Sequence, residues 1–474
     1  MSSVATVAQE KRGADRRLLL AANLLLVLAG IAFLGLAAYF TILHKPLYVR
    51  AGLVVVGLGC LALLAVTATI RILAASVMIG AFAGLYATEL VSRVIYNADL
   101  PYQRDVRKAA AAAGVQYDPR TRLEAILDYR RDGIRAYPPF YPYLLVDDPL
   151  KIDGKATIPL GGHSDVFVVA CNEGGQYLTY TTDEHGFPNP KGIWQRPPIE
   201  VAMVGDSNAV GECVPEADSV AGQLRTEFPS TLTLGAGGHG PIFTLASIRE
   251  YLRFVKPKQV LWIYSESHTP QYLDVERHSP FMLRYVDDPN FSQKLIDEQP
   301  ALDSAIEKYV ENGIRQELRA HSWSRTLRDF LLLANVRTLG FELRARLHPP
   351  KPIEFDAPLF ERVLSEGSQE VQNWGGELVL VYWPDAARYP GIANYTPALR
   401  RRHDADRQKV LDIASQLGIR VIDLTPAFPD LPASRAAENS RYFYSFPAHY
   451  TPEGYRVAGR AILGALEDQK TKGQ

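Results

Sequence analysis

The sequence predicts an α/β protein, a parallel sheet with helices on both faces, preceded by three membrane-spanning helices. Three observations predict it. From Val201 onward, short apolar strands alternate with helical segments. The first hundred residues hold three long uncharged apolar runs. The run Val201-Ala202-Met203-Val204 passes straight into Gly205-Asp206-Ser207-Asn208, a buried strand turning into a helix.

The N-terminal runs come first. No charge lies between Arg17 and His44, Ala51–Ile70 is uncharged, and Ile72–Thr88 follows the single Arg71. Each run is near the about 20 residues that cross a bilayer as a helix. A signal peptide followed by a buried helical core is the competing reading, but its apolar region would be shorter. The expected division is a cytoplasmic tail over 1–17, three transmembrane helices over 18–95 and a helical linker over 96–150. The α/β domain then covers 151–474. Lys11, Arg12, Arg16 and Arg17 favour a cytoplasmic N-terminus, which puts the C-terminal domain outside; Arg93, Arg104, Arg107 and Lys108 pull the other way.

The aromatic and proline-rich stretch Tyr137-Pro138-Pro139-Phe140-Tyr141-Pro142-Tyr143 cannot be a regular helix. Strands are predicted within 165–180, then at Val201–Val204, Leu232–Leu234, Gln259–Tyr264, Glu377–Tyr382 and Ile419–Leu424. Helices are predicted from Ser207 to Phe228, through Tyr251-Leu252, over Asp404–Leu417 and over Pro452–Leu466. The alternation stops over about 281–352, where two long amphipathic helices are expected as an insertion. Their apolar faces suit packing on their own domain, and their arginines leave contact with a membrane surface or partner open.

Lys and Arg number 51 against 52 Asp and Glu, a formal net charge of −1, so nothing in the charge balance points to nucleic acid. Cys60 lies in the second apolar run. Cys171 and Cys213 either form a disulfide in an oxidising compartment or remain two buried thiols. A bridge would fasten the segment before the sheet to the helix behind Ser207.

Three loops fall at the C-terminal ends of strands, the edge where open α/β sheets form their sites. The first carries Ser207, at the positive end of a helix dipole; it reads as a nucleophile or simply as a helix cap. The second carries Gly238, whose N–H faces the same region. The third reads Ser265-Glu266-Ser267-His268-Thr269. Near the C-terminus His449 stands just ahead of the last helix. Nucleophile, backbone donor, side-chain donor and base are the parts of an acyl-transfer site.

In order and spacing these blocks resemble the SGNH (GDSL-type) hydrolase and acyltransferase superfamily. Gly205-Asp206-Ser207 resembles its first block and Thr233-Leu234-Gly235-Ala236-Gly237-Gly238 its second. Val260–Tyr264 with Ser267-His268-Thr269 resembles the third, and His449 with Gly454 the fifth. The turn Asp183-Glu184-His185-Gly186-Phe187-Pro188-Asn189-Pro190 resembles a segment found in envelope-associated members. The resemblance covers roughly residues 160–280 and 375–466. It implies a flavodoxin-like three-layer α/β/α sandwich, with Ser207 as nucleophile and His449 as base. The implied oxyanion hole is the N–H groups of Ser207 and Gly238 plus a side chain from the third block, here His268.

Two positions depart from the pattern. The third block usually offers Asn where this chain has His268. The base histidine is usually preceded by Asp, where this chain has Phe446 and Pro447. Asp385 and Glu266 are the candidates for a substitute acid. The expectation is therefore a membrane-anchored serine esterase or O-acyltransferase acting on acyl (acetyl) esters of cell-envelope glycans, without cofactor or metal. Its expected place is the bacterial inner membrane as a multi-pass protein, with envelope proteins as partners. The alternative is a domain that has lost its chemistry and serves as a glycan-binding or assembly module.

Overall fold

Alternating side chains build the two faces of the central sheet. Its strands are β1 Val201–Val204, β2 Leu232–Thr233, β3 Gln259–Ser265, β4 Glu377–Trp383 and β5 Arg420–Asp423. Ala202, Val204, Val260, Trp262, Tyr264, Leu378, Leu380 and Tyr382 enter one apolar core. Their neighbours Val201, Met203, Leu261, Ile263, Val379, Val381 and Trp383 enter the other. A strand buried on both faces reads as one continuous apolar run, as these do.

This computed structural model describes residues 2–44, 46–96, 116–196, 198–320, 323–348, 353–392, 394–443 and 449–472. The five strands are all parallel, in the spatial order β2-β1-β3-β4-β5. That is the flavodoxin-like order, and the order reverses between β1 and β3. Helices Pro241–Ser247, Ala357–Asn373 and Pro397–Gln416 supply the first core. Val220–Leu224 and Pro452–Lys472 supply the second.

The single helix predicted from Ser207 to Phe228 is two short ones, Ser207–Val210 and Val220–Leu224. The first stops at Gly211, which takes a left-handed conformation. A second, small sheet pairs Ala136–Tyr137 with Phe167–Val169 in parallel, and the latter with Thr179–Thr181 antiparallel. The turn from Asp183 to Pro190 links it to the main sheet. Asp183 accepts from the N–H groups of His185 and Phe187, from Asn189 and from Trp194. Asn189 in turn brackets Thr233 of the short edge strand β2, bonding both its N–H and its C=O.

The chain divides into two units, residues 1–98 with 322–349, and residues 99–321 with 350–474. In the first, helices α1 Ser2–Ile42, α2 Leu47–Ala62 and α3 Ala68–Tyr96 carry three stretches long and apolar enough to cross a membrane. Gly30 and Gly57 let α1 and α2 approach closely: a Cβ on Gly30 would stand 2.8 Å from Leu61. Helices Trp323–Leu331 and Ala334–Leu347 cluster with this unit, although the sequence placed them in an insertion of the α/β domain. Buried Glu89 of α3 accepts from the side chain of Asn335 and from the N–H of Val336. The other long helix of that region, Gln299–Ala320, belongs to the second unit. The linker residues 97–115 lie outside the described residues.

Candidate active site

The reversal of strand order between β1 and β3 places two loops side by side. One carries Ser207 and the other His268. Gly205 makes the first turn possible, with φ at +140°. A Cβ there would lie 2.9 Å from Ile263 Cβ on β3. Asp206 then caps the helix, one carboxylate oxygen accepting from the N–H of Asn208 at 3.0 Å. Ser207 follows as the first helical residue and is buried. Asn208 is fastened to Ser265 at 2.8 Å, which locks the turn onto β3.

The loop after β2 arrives from the other side. Ala236 donates to the carbonyl of Gly205 at 3.2 Å, binding the second block to the first. Gly238 has φ of +84°, and the ring of Tyr143 occupies the space a Cβ would need. The N–H groups of Ser207 and Gly238 make no hydrogen bond among the described residues, so both are free to meet an oxyanion. His239, next in the loop, is buried against Phe243, and burial pushes its imidazole down to about 3. A ring so reluctant to take a proton is a poor base.

His449 is held by carboxylates. Its Nδ1 lies 2.7 Å from Glu173 Oε1, and its Nε2 lies 3.8 Å from Glu212 Oε2. Glu212 is joined to the serine turn, its N–H donating to the carbonyl of Ser207 at 3.0 Å. Burial alone would lower the His449 imidazole. The charges of Glu173, then Glu212 and Asp206, outweigh it and raise it to about 9. The Glu173 contact fixes Nδ1 as a donor and leaves Nε2 as the nitrogen that can exchange a proton.

Glu173 was not anticipated from the sequence. It lies in the loop of the hairpin between Phe167–Val169 and Thr179–Thr181. Cys171 and Cys213 are joined as a disulfide with Cα atoms 5.5 Å apart. Asn172 donates to the carbonyl of Asp118 at 2.9 Å. The disulfide therefore brings a residue two positions past Cys171 to the loop just behind Ser207. That cysteine pair was the available signal. Because Cys213 is bonded to Cys171, the cluster of Glu173, Cys213 and His449 has no free thiolate to offer a metal.

Neither acid proposed from the sequence meets His449. Asp385 accepts from Ser267 Oγ and caps the turn at Ala387. Glu266 is buried in an ion pair with Arg388 and accepts from Tyr382 Oη at 2.5 Å and from the N–H of Asp385 at 2.9 Å. It ties β3 to β4. Phe446 and Pro447, where the family pattern has Asp, lie outside the described residues.

His268 has its own carboxylate. Its Nδ1 is 3.5 Å from Asp206 Oδ2. Burial would lower it, but the bond and charge of Asp206, with the charge of Asp385, raise it overall; His449 opposes them. A neutral ring that turns an Nδ1–H toward Asp206 has an acceptor at Nε2; only the imidazolium, which the raised value favours, offers an N–H there as well. Ser207 Oγ is hydrogen-bonded to neither imidazole among the described residues.

No protein-family model matches the sequence, and no curated protein matches it. Among solved structures the chain is similar to the lipase/acylhydrolase of Enterococcus faecalis, at 12% identity, 57% coverage of this chain, 97% of that one and a TM-score of 0.31. It is similar to a GDSL-like lipase of Bacteroides thetaiotaomicron at 12% identity, 57% and 88% coverage, and a TM-score of 0.30. It is also similar to a catalytic mutant of an acetylxylan esterase of Geobacillus stearothermophilus, at 13% identity, 56% and 92% coverage, and a TM-score of 0.31. With its 2-1-3-4-5 parallel sheet, helices on both faces and a serine turn at the end of the first strand, the second unit is a flavodoxin-like three-layer α/β/α sandwich.

Proposed function

We propose that the protein is a membrane-anchored serine esterase or O-acyltransferase that handles acyl groups, acetyl among them, on cell-envelope glycans. The observation that carries this is the pairing of His449 with a buried carboxylate, Glu173, beside the strand-end turn of Ser207. A histidine aligned by an acid and placed next to a serine is the arrangement that activates a hydroxyl.

In this reading Ser207 Oγ attacks the ester carbonyl as His449 Nε2 takes its proton. Glu173 stabilises the imidazolium that forms. The N–H groups of Ser207 and Gly238, with Nε2–H of His268 in its protonated form, hold the oxyanion. The intermediate collapses, the C–O bond to the alcohol breaks, and His449 returns the proton to the leaving oxygen. Water or a sugar hydroxyl then repeats the steps on acyl-Ser207. No group outside the chain is required.

The three apolar helices support anchoring. The disulfide fits an oxidising compartment, and therefore a C-terminal domain outside the cytoplasm, as in a bacterial inner-membrane protein. One observation favours a second reading, a glycan-binding or assembly module without catalysis. His449 rests between two carboxylates rather than on Ser207 Oγ. Apo catalytic sites often show such open geometry. The test is labelling by a fluorophosphonate and turnover of an aryl acetate, beside Ser207→Ala. Ser207-dependent labelling and turnover are expected; their absence removes the enzyme reading.

A further inference from the structure

Behind the site lies a cavity of about 350 Å³ that the proposed chemistry does not use. Neither Ser207, His268 nor His449 lines it. It borders the site through Glu212, which lines the cavity and whose Oε2 lies 3.8 Å from His449 Nε2. Its volume is in the range of small-molecule pockets.

Beyond the loops it shares with the site, its walls come from segments with no part in the catalytic geometry. The proline-rich stretch supplies Phe140 and Tyr141, and the small sheet supplies Tyr180 and Thr181. Proline and glycine backbone from 186–190 closes another side. The rings give flat apolar faces. Between them stand threonine hydroxyls and the Glu212 carboxylate, whose Oε1 accepts from Tyr141 Oη at 2.8 Å. Charges along the wall are already answered: Lys191 pairs with Asp165, and Glu216 with Arg225. Nothing there suits an anion. An acyl chain would set methylene groups against the Glu212 carboxylate, whose acceptor sites Tyr141 Oη fills at one oxygen only. A pyranose ring satisfies both kinds of wall, its C–H face on an aromatic ring and its hydroxyls on the polar groups.

We propose that this cavity binds an uncharged pyranose unit of the glycan whose neighbouring ester or hydroxyl is presented to Ser207. The proposal rests on the esterase or transferase reading for its catalytic consequence, but the binding stands by itself. It is tested on the full-length protein in nanodiscs carrying Ser207→Ala, by calorimetry and saturation-transfer NMR. The probes are xylotriose, cellotriose, chitotriose, trigalacturonate and octanoate.

At least one neutral trisaccharide is expected to bind, with trigalacturonate and octanoate silent. Thr181→Trp, an exposed position that fills the cavity, is expected to weaken binding tenfold or more at an unchanged melting temperature. Phe140→Ala is expected to act in the same direction. The proposal is overturned if octanoate binds and Thr181→Trp abolishes it, if all three neutral sugars fail, or if neither variant weakens them. Turnover of an aryl acetate by the Ser207 form tests the enzyme reading separately. Sugar binding lost in Thr181→Trp without any turnover keeps the cavity and removes the enzyme. Turnover without sugar binding does the reverse.

Discussion

Replacing Glu173 with glutamine removes a charge while keeping the shape of the side chain. In the wild type His449 is held at about 9 rather than 6.5, a difference of 2.5 units. At about 1.36 kcal/mol per unit that is about 3 kcal/mol favouring the imidazolium. A base must be neutral, so wild-type turnover rises with pH through about 9, and at pH 7 only about one site in 10² is ready. In Glu173→Gln the largest upward influence is gone and burial remains. The rising limb moves down by more than about one unit, while the plateau falls by up to about 10⁴ for want of the aligning acid. Because about tenfold more imidazole is neutral at pH 7 after a one-unit shift, the net loss there is at most about 10³. Folding stability carries the matching signature. A raised folded value contributes stability fully below about 6.5, and that contribution is lost as pH rises through about 9. The wild type therefore loses melting temperature over this window and the variant loses less. The assay is aryl acetate hydrolysis from pH 6 to 10 with Ser207→Ala as blank, beside melting curves. A variant whose rising limb coincides with the wild type refutes the assignment of Glu173.

Glu212→Gln weakens the second restraint on His449, so the limb shifts down by less than in Glu173→Gln and turnover at pH 7 rises; a pH–rate profile checks it. Replacing Cys171 and Cys213 with serine opens a loop of 42 residues' separation, expected to cost about 4 kcal/mol of stability by the chain-entropy relation. Melting with and without reductant measures it, and turnover falls as Glu173 loses its anchor. His268→Ala lowers kcat by about 10²–10³ with little change in KM, and His268→Asn restores much of it, if His268 is an oxyanion donor. Glu266→Gln leaves buried Arg388 short of its counter-charge and costs about 3–5 kcal/mol, read by denaturant unfolding.

The alternation of strand and helix was legible because each strand is buried on both faces and reads as one apolar run. The serine turn, the Gly238 loop and the His268 loop were legible as sheet-edge loops because strand ends fix where such loops lie. The helix behind Ser207 was misread: periodicity continues across Gly211, but Cys213 and Pro215 bend away toward the disulfide. Glu173 was missed because its approach depends on a covalent bridge and a hairpin in a separate small sheet. The amphipathic helices of 323–347 looked like part of the soluble domain because amphipathicity does not name the surface it covers. Their partner is the single acid of α3, Glu89, through hydrogen bonds that composition does not reveal.

Those helices also decide how the protein can be cut. The backbone passes from one unit to the other at 98–99, again at 321–322 and back at 349–350. A protease acting once between the third apolar helix and the sandwich would sever residues 1–98 from the rest of the chain, and the pieces would stay together only through the packing of 322–349, still joined to the sandwich at both ends, against α3. A gene truncated to begin at residue 99 would keep Trp323, Phe341 and Leu347, exposed by 78%, 75% and 67%, with α3 removed from beside them. A secreted form of the sandwich therefore needs an internal excision of 322–349 and a splice, not a simple shortening from the front.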